Sequence, residues 1–226
     1  MAEGDSFYYE PAGVVVRRRR ATVRSKRPIL TFALIAICTL LFFLDLVYQG
    51  YTNTSISDFL AFTPATAFSQ PWTWITAIFV HAGFVHAGLD HLFFNMFALF
   101  IFGIYLEPRI TRNQYLLVFF AAGILGNFAY WLSSPFSAIP AVGASGAIYG
   151  IMAMLAVLYP RLIVYVGFAP MPIIFAAVLW FVLEFTGLFV PSDIAHQAHI
   201  AGLAVGVLYG LYIRRQRNKL VFFWEK

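Results

Sequence analysis

The chain has 226 residues, of which 61% are hydrophobic and only 11% charged, with a formal net charge of +5. Soluble globular domains carry roughly 25% charged residues, so this chain cannot cover a water-facing surface and lipid must be the solvent for most of it. Its length accommodates one domain of about six crossings of ~20 residues with short loops, and no second soluble domain.

Residues 1–28 read as a basic tail, with Arg17–Arg20, Arg24, Lys26 and Arg27 leading into the first apolar run. Six apolar runs follow: Ile29–Tyr48, Gly88–Leu106, Tyr115–Leu132, Ala144–Tyr159, Ile173–Val190 and Ala198–Ile213. Each predicts a transmembrane helix, so 29–213 is an all-α six-helix core and 214–226 a second basic, aromatic tail. The first run is too long for a cleaved signal peptide and lacks a small-residue cleavage site. The only cysteine, Cys38, lies within that run, so no intrachain disulfide can form.

Lys and Arg occur in four places only: Arg17–Arg27, Arg109 with Arg112, Arg161, and Arg214–Lys226. With six crossings all four fall on one side, which the positive-inside rule makes cytoplasmic. The sequence therefore predicts a multi-pass cell-membrane protein with both termini in the cytoplasm. Its basic runs are anchors beside anionic lipid, not nucleic-acid contacts. The tail residues Phe222, Phe223 and Trp224 suit an inner-leaflet surface or a regulatory segment.

The first outer connection, 49–87, holds Phe59, Phe62, Phe68, Trp72, Trp74 and Phe79, broken by Pro64 and Pro71. That composition predicts short helices in or on the outer leaflet; the other reading extends the second span upward through 72–86.

Polar groups inside a bilayer are costly and usually functional. Counting from the inner-face arginines at ~1.5 Å per residue puts Ser145 roughly 24 Å, His199 roughly 22 Å and Asn95 roughly 21 Å up, with His91 about 6 Å above Asn95. In a ~30 Å core all four lie in the outer half. Taken alone, a membrane Ser bonds its own i−4 carbonyl and a lone His or Asn glues helices. Four such groups from three helices at one depth point to a site.

The run Gly143-Ala144-Ser145-Gly146-Ala147-Ile148-Tyr149-Gly150 and the run His199-Ile200-Ala201-Gly202-Leu203-Ala204-Val205-Gly206 are complementary small-residue surfaces. Close contact of these two spans predicts a Ser145 hydroxyl within ~3 Å of the His199 imidazole, the reach of a general base. Ser145 also opens its helix, where free N–H groups and the positive dipole end suit an oxyanion. His91 and Asn95, at i and i+4, share a face and supply two more donors.

Gly143-Ala144-Ser145-Gly146 with Tyr149 and Gly150, Ala198-His199-Ile200-Ala201-Gly202, and His91-Leu92-Phe93-Phe94-Asn95 resemble the motifs of rhomboid intramembrane serine proteases, in the same order and on the same spans, across roughly 29–213. The resemblance implies a serine endopeptidase that cuts transmembrane protein substrates near the outer membrane face, with no cofactor and no metal. It implies a six-helix core whose 50–87 connection is the membrane-embedded first loop, with the fifth span and 191–197 as gate and cap. By the same resemblance Ser145 is the nucleophile of a Ser–His dyad, His199 its base, and His91 and Asn95 stabilise the oxyanion. Tyr149 would stack on His199, and Gly202 would let the sixth span sit against Ser145.

The chain departs from the family in three places. Trp72-Thr73-Trp74 lacks the arginine of the family's Trp-Arg pair, so that loop needs another anchor. The stretch His81–Asp90 is about five residues longer than usual, leaving open which of His81 and His86 is structural. No acidic residue is evidently placed to orient His199: Asp90, Asp193 and Glu184 all read as solvated at the interface, so the base is expected to work without a carboxylate, the alternative being that one of these three serves as a third member. His81, His86 and His91, five residues apart, would turn ~500° on a helix and share no face, which argues against a three-histidine metal site. His196 would bond near the dyad or cap the last span. Two rival readings remain: a catalytically silent rhomboid-like protein that binds membrane clients, which retention of Ser145 and His199 opposes, and a transporter, which would show internal repeats and midplane polar groups.

Overall fold

The computed structural model describes residues 7–9, 15–17, 27–81, 88–166, 169–192 and 194–224. His86, Asp193 and most of the first basic cluster lie outside the described residues, as do the side chains of Phe222, Phe223 and Trp224. The described elements, in chain order, are β1 (Phe7–Tyr9), β2 (Val15–Arg17), α1 (Ile29–Thr52), α2 (Ser57–Leu60), α3 (Thr73–Thr76), α4 (Gly88–Leu106), α5 (Arg112–Ser133), α6 (Ser145–Leu158), β3 (Ile163–Val166), β4 (Ala169–Pro172), α7 (Ile173–Gly187) and α8 (His196–Trp224).

Each apolar run of the sequence thus contains a helix, and the fold is mostly helical. Three helices, Ile29–Thr52, Leu89–Arg109 and Arg112–Ser133, are long and apolar enough to cross a membrane. α6 and α7 are shorter, at 14 and 15 residues. α8 runs on past Ile213, where the last span was expected to end, through Arg214, Arg215 and Arg217. Arg, Gln and Lys are good helix formers and nothing in 214–224 breaks the turn.

The fold is not purely α. β1 pairs with β2 and β3 with β4, both antiparallel. Pro160 ends α6, and the Ile163-Val164-Tyr165-Val166 run suits a strand. Pro170 and Pro172 are tolerated because β4 belongs to a two-stranded ribbon. Ile173 N–H then bonds Leu162 O at 2.8 Å, closing the ribbon onto α7.

α6 is the central helix. Ten of its residues are buried, among them Ile148, Ile151, Met152, Met154 and Leu155. A helix apolar all round must be enclosed, and α4, α5, α7 and α8 enclose it, α8 most closely. The outer helices turn large apolar side chains outward: Phe93, Phe94 and Phe97 on α4, and Phe175, Phe181 and Phe185 on α7. Such continuous apolar exposure needs lipid around it.

Two buried carboxylates hold α1 in place. Glu107 accepts the Leu30 N–H at 2.9 Å, the Thr31 N–H at 2.8 Å and the Thr31 hydroxyl at 2.8 Å, capping the first turn of α1 from the end of α4. Asp45, near the other end of α1, accepts from Ser55 Oγ at 2.9 Å, Ile56 N–H at 2.6 Å and Ser57 Oγ at 3.0 Å. α5 begins with a capping box between Thr111 and Gln114.

Over the described residues 50–81 the connection is a run of short helical turns and does not extend α4 upward, while 82–87 lie outside the described residues. Its indoles anchor it without an arginine. Trp72 Nε1 donates to Phe59 O at 2.8 Å, Trp74 Nε1 to Ala67 O at 3.0 Å, and Asn127 Nδ2 on α5 to Trp74 O at 3.0 Å. Phe62 and Ala141 exchange two backbone hydrogen bonds, so the loop props the segment that leads into α6.

Candidate active site

The segment before α6 sets the geometry. Gly143 N–H donates to Ala77 O at 2.9 Å and Ala144 N–H to His81 Nε2 at 3.4 Å, so the first loop grips the turn that delivers Ser145. Gly143 has φ +116°, a conformation that L side chains rarely adopt, and the His91 ring lies where its Cβ would be. His91 of α4 therefore packs directly on that turn, against a residue two positions before Ser145.

α6 and α8 meet backbone to backbone. A Cβ on Gly202 would run into the Gly146 carbonyl, and one on Gly206 into the Gly150 carbonyl. Gly150 also faces Ala122 of α5, and Gly146 lies against the Ala198 carbonyl. This close approach carries His199 to the start of α6. Its Nε2 is 2.7 Å from Ser145 Oγ, and its ring stacks on Tyr149 with centroids 4.6 Å apart and planes 17° from parallel.

The other face of the imidazole meets a carboxylate that the sequence reading had assigned to solvent. Glu184 of α7 is buried, and its Oε2 lies 2.9 Å from His199 Nδ1. The expectation of a base without a carboxylate is corrected by this contact. The imidazole and the carboxylate are in close contact at this edge without an aligned hydrogen bond. The same oxygen lies 2.5 Å from His196 Nδ1, while Tyr149 OH donates to Oε1. His196 Nε2 is 3.0 Å from Ser192 Oγ. The available signal was a single carboxylate in an otherwise apolar segment, which must find partners or stay neutral.

Asn95 is buried one turn after His91 on α4. Its Nδ2 donates to the His91 carbonyl at 2.8 Å, its Oδ1 has no hydrogen-bond partner, and it makes no hydrogen bond to Ser145. His81 is buried, and burial first, then the nearby His91 charge, push its pKa down to about 3. Its Nε2 accepts a hydrogen bond, so the neutral ring carries its proton on Nδ1. The helical argument that kept the histidines apart does not hold for His81 and His91. His81 is not in a helix, and the two rings lie 5.2 Å apart.

A hydroxyl in contact with an imidazole, backed by a carboxylate and beside a helix N-terminus, can activate the hydroxyl as a nucleophile and receive an oxyanion. Comparison with known proteins points the same way. Over 139 residues the chain is 34% identical to the rhomboid protease GluP of Bacillus subtilis (strain 168), covering 60% of this chain and 25% of that protein. It is 28% identical over 197 residues to the rhomboid protease GlpG of Serratia proteamaculans (strain 568), covering 87% of this chain and 66% of GlpG. A GlpG of Yersinia pseudotuberculosis (serotype I, strain IP32953) is 25% identical over 201 residues, 88% of this chain and 68% of that protein. The chain thus spans a quarter of GluP and about two thirds of each GlpG. The Rhomboid domain model matches residues 69–216, a stretch that holds Ser145, His199, Glu184, His91 and Asn95, and with its apolar helices this chain is a membrane protein belonging to the rhomboid family.

Proposed function

We propose that this chain is an intramembrane serine endopeptidase that cleaves transmembrane segments of other membrane proteins near the outer membrane face. The observation that carries the reading is the 2.7 Å contact between Ser145 Oγ and His199 Nε2 across α6 and α8. Ser145 attacks the substrate carbonyl as His199 Nε2 takes its proton. The same imidazole then protonates the leaving amine, and water resolves the acyl-enzyme. The oxyanion forms at the N-terminus of α6, where first-turn N–H groups have no intrahelical acceptor. His91 and Asn95 contribute to that hole as the substrate draws in. Tyr149 and Glu184 hold the imidazole between them, so that Nδ1 keeps the proton and Nε2 stays free to act as base.

In the membrane, the six helices cross with Arg109, Arg112, Arg161 and Arg214 at the cytoplasmic face and both termini inside the cell. The site then opens outward, where water can enter. A substrate helix must unwind before cleavage because its carbonyls are otherwise hydrogen-bonded, which favours substrates with small or helix-breaking residues near that face. Labelling by a fluorophosphonate probe in lipid tests the assignment. Wild type labels at Ser145 and Ser145→Ala does not. No labelling of folded wild type would favour the client-binding reading.

A further inference from the structure

Glu184, His196 and His199 form a second constellation on the back of the proposed base. One ligand atom from each lies within 4.8 Å of the others. Glu184 Oε2 stands between the two Nδ1 atoms, at 2.5 Å from His196 and 2.9 Å from His199. His199 Nδ1 is buried, aimed into the cluster and without an aligned hydrogen bond. Two imidazoles and one carboxylate are a donor set that zinc takes in four-coordinate sites, leaving one position for water. Metal-ligating groups are ordinarily fixed by outer partners, and here every ligand has one. Tyr149 OH holds Glu184 Oε1, Ser192 Oγ meets His196 Nε2 at 3.0 Å, and Ser145 Oγ meets His199 Nε2 at 2.7 Å.

We propose that Glu184, His196 and His199 bind a divalent transition metal of the zinc class, and that binding switches hydrolysis off. The switch rests on the reading of His199 as the base. Zinc–nitrogen and zinc–oxygen bonds of about 2.0–2.2 Å put tetrahedral ligands roughly 3.3 Å apart, so the two carboxylate contacts must open by less than about an ångström while the two imidazole nitrogens draw together to the same separation. A metal on Nδ1 of neutral His199 leaves that ring's one proton on Nε2. Nε2 then donates to Ser145 instead of accepting from it, and the nucleophile cannot be activated. No proton is gained or lost by the ring; exchange with water moves it from one nitrogen to the other. The metal also ties α7 to α8.

The test uses tag-free full chain with cobalt chloride and zinc chloride as probes. Ser145→Ala should bind one cobalt per chain, with the visible absorption of tetrahedral cobalt, and zinc should displace it. Glu184→Gln and His196→Gln, each folded by size-exclusion profile, should lose at least about tenfold in cobalt affinity. Zinc should cut the wild-type proteolytic rate at least tenfold, reversibly on chelation, while His196→Gln measured against its own metal-free rate should be insensitive. Absence of a one-to-one cobalt spectrum in Ser145→Ala, or equal zinc inhibition of wild type and His196→Gln, overturns the proposal. Failure of the protease reading is separately visible as no metal-free hydrolysis by wild type. In that case cobalt binding still decides the site, and the switch falls with the base.

Discussion

Glu184 Oε2 lies 2.9 Å from His199 Nδ1, on the side of the imidazole away from Ser145. The carboxylate and the Tyr149 ring together define where the imidazole points. Glu184→Gln should therefore lower kcat about 10- to 100-fold with little change in KM, and Glu184→Asp should recover part of the loss. A structural role alone would instead lower the folded fraction and leave kcat per folded molecule intact, so rates are normalised to folded protein. Tyr149→Phe keeps the stacking, loses only the hydroxyl contact to Glu184, and should cost less.

The backbone contact between α6 and α8 has no slack. Gly202→Val places a branched side chain against the Gly146 carbonyl, and overpacking of this kind costs about 1–3 kcal/mol or more. The midpoint of thermal unfolding in detergent should fall and activity should be lost. Gly50→Ala is the control: a Cβ there meets nothing within 4 Å, and its melting point should stay near wild type.

Glu107 accepts three hydrogen bonds at the start of α1 and is buried. Glu107→Ala leaves two backbone N–H groups and a hydroxyl without their acceptor, at a cost of about 2–4 kcal/mol. Thermal unfolding should report the loss, while the rate per folded molecule should change less than about threefold, because α1 does not carry the proposed chemistry.

His81 supplies a pH dependence of stability. Its folded pKa of about 3 lies below the unfolded value of 6.5. Between these values the unfolded chain binds more protons, so the stability that neutral His81 contributes is complete above pH 6.5 and is lost as pH falls toward 3. Replacing it with an uncharged side chain removes this component. His81→Asn should be less stable than wild type at pH 7.5, and its melting point should fall less between pH 7.5 and 4.5. Equal falls in the two proteins would contradict the assignment.

The helices were legible because each is an uninterrupted apolar run, and α4 ends at Leu106 as the sequence reading has it. The pairing of Ser145 with His199 was legible from two cues: similar depth below the outer face and facing stripes of small residues. Glu184 was not, because its partners sit on α6 and α8, and no periodicity within α7 announces a contact between helices. The strands β3 and β4 were missed because a four-residue run of Ile, Val and Tyr beside prolines looks like any short loop between spans. His81 was misjudged because helical spacing was extended to it, whereas His81 itself is not in a helix.

The central claim is that Ser145 and His199 hydrolyse a peptide bond within the membrane. It is tested most directly by reconstituting wild type, Ser145→Ala and His199→Ala in vesicles with a tagged single-span substrate. The fragments are then quantified by mass spectrometry. Wild type should yield one cut near the outer end of the substrate helix, and both variants should fall by at least about a thousandfold. Equal cleavage by all three, or none by folded wild type across a panel of such substrates, would contradict the account.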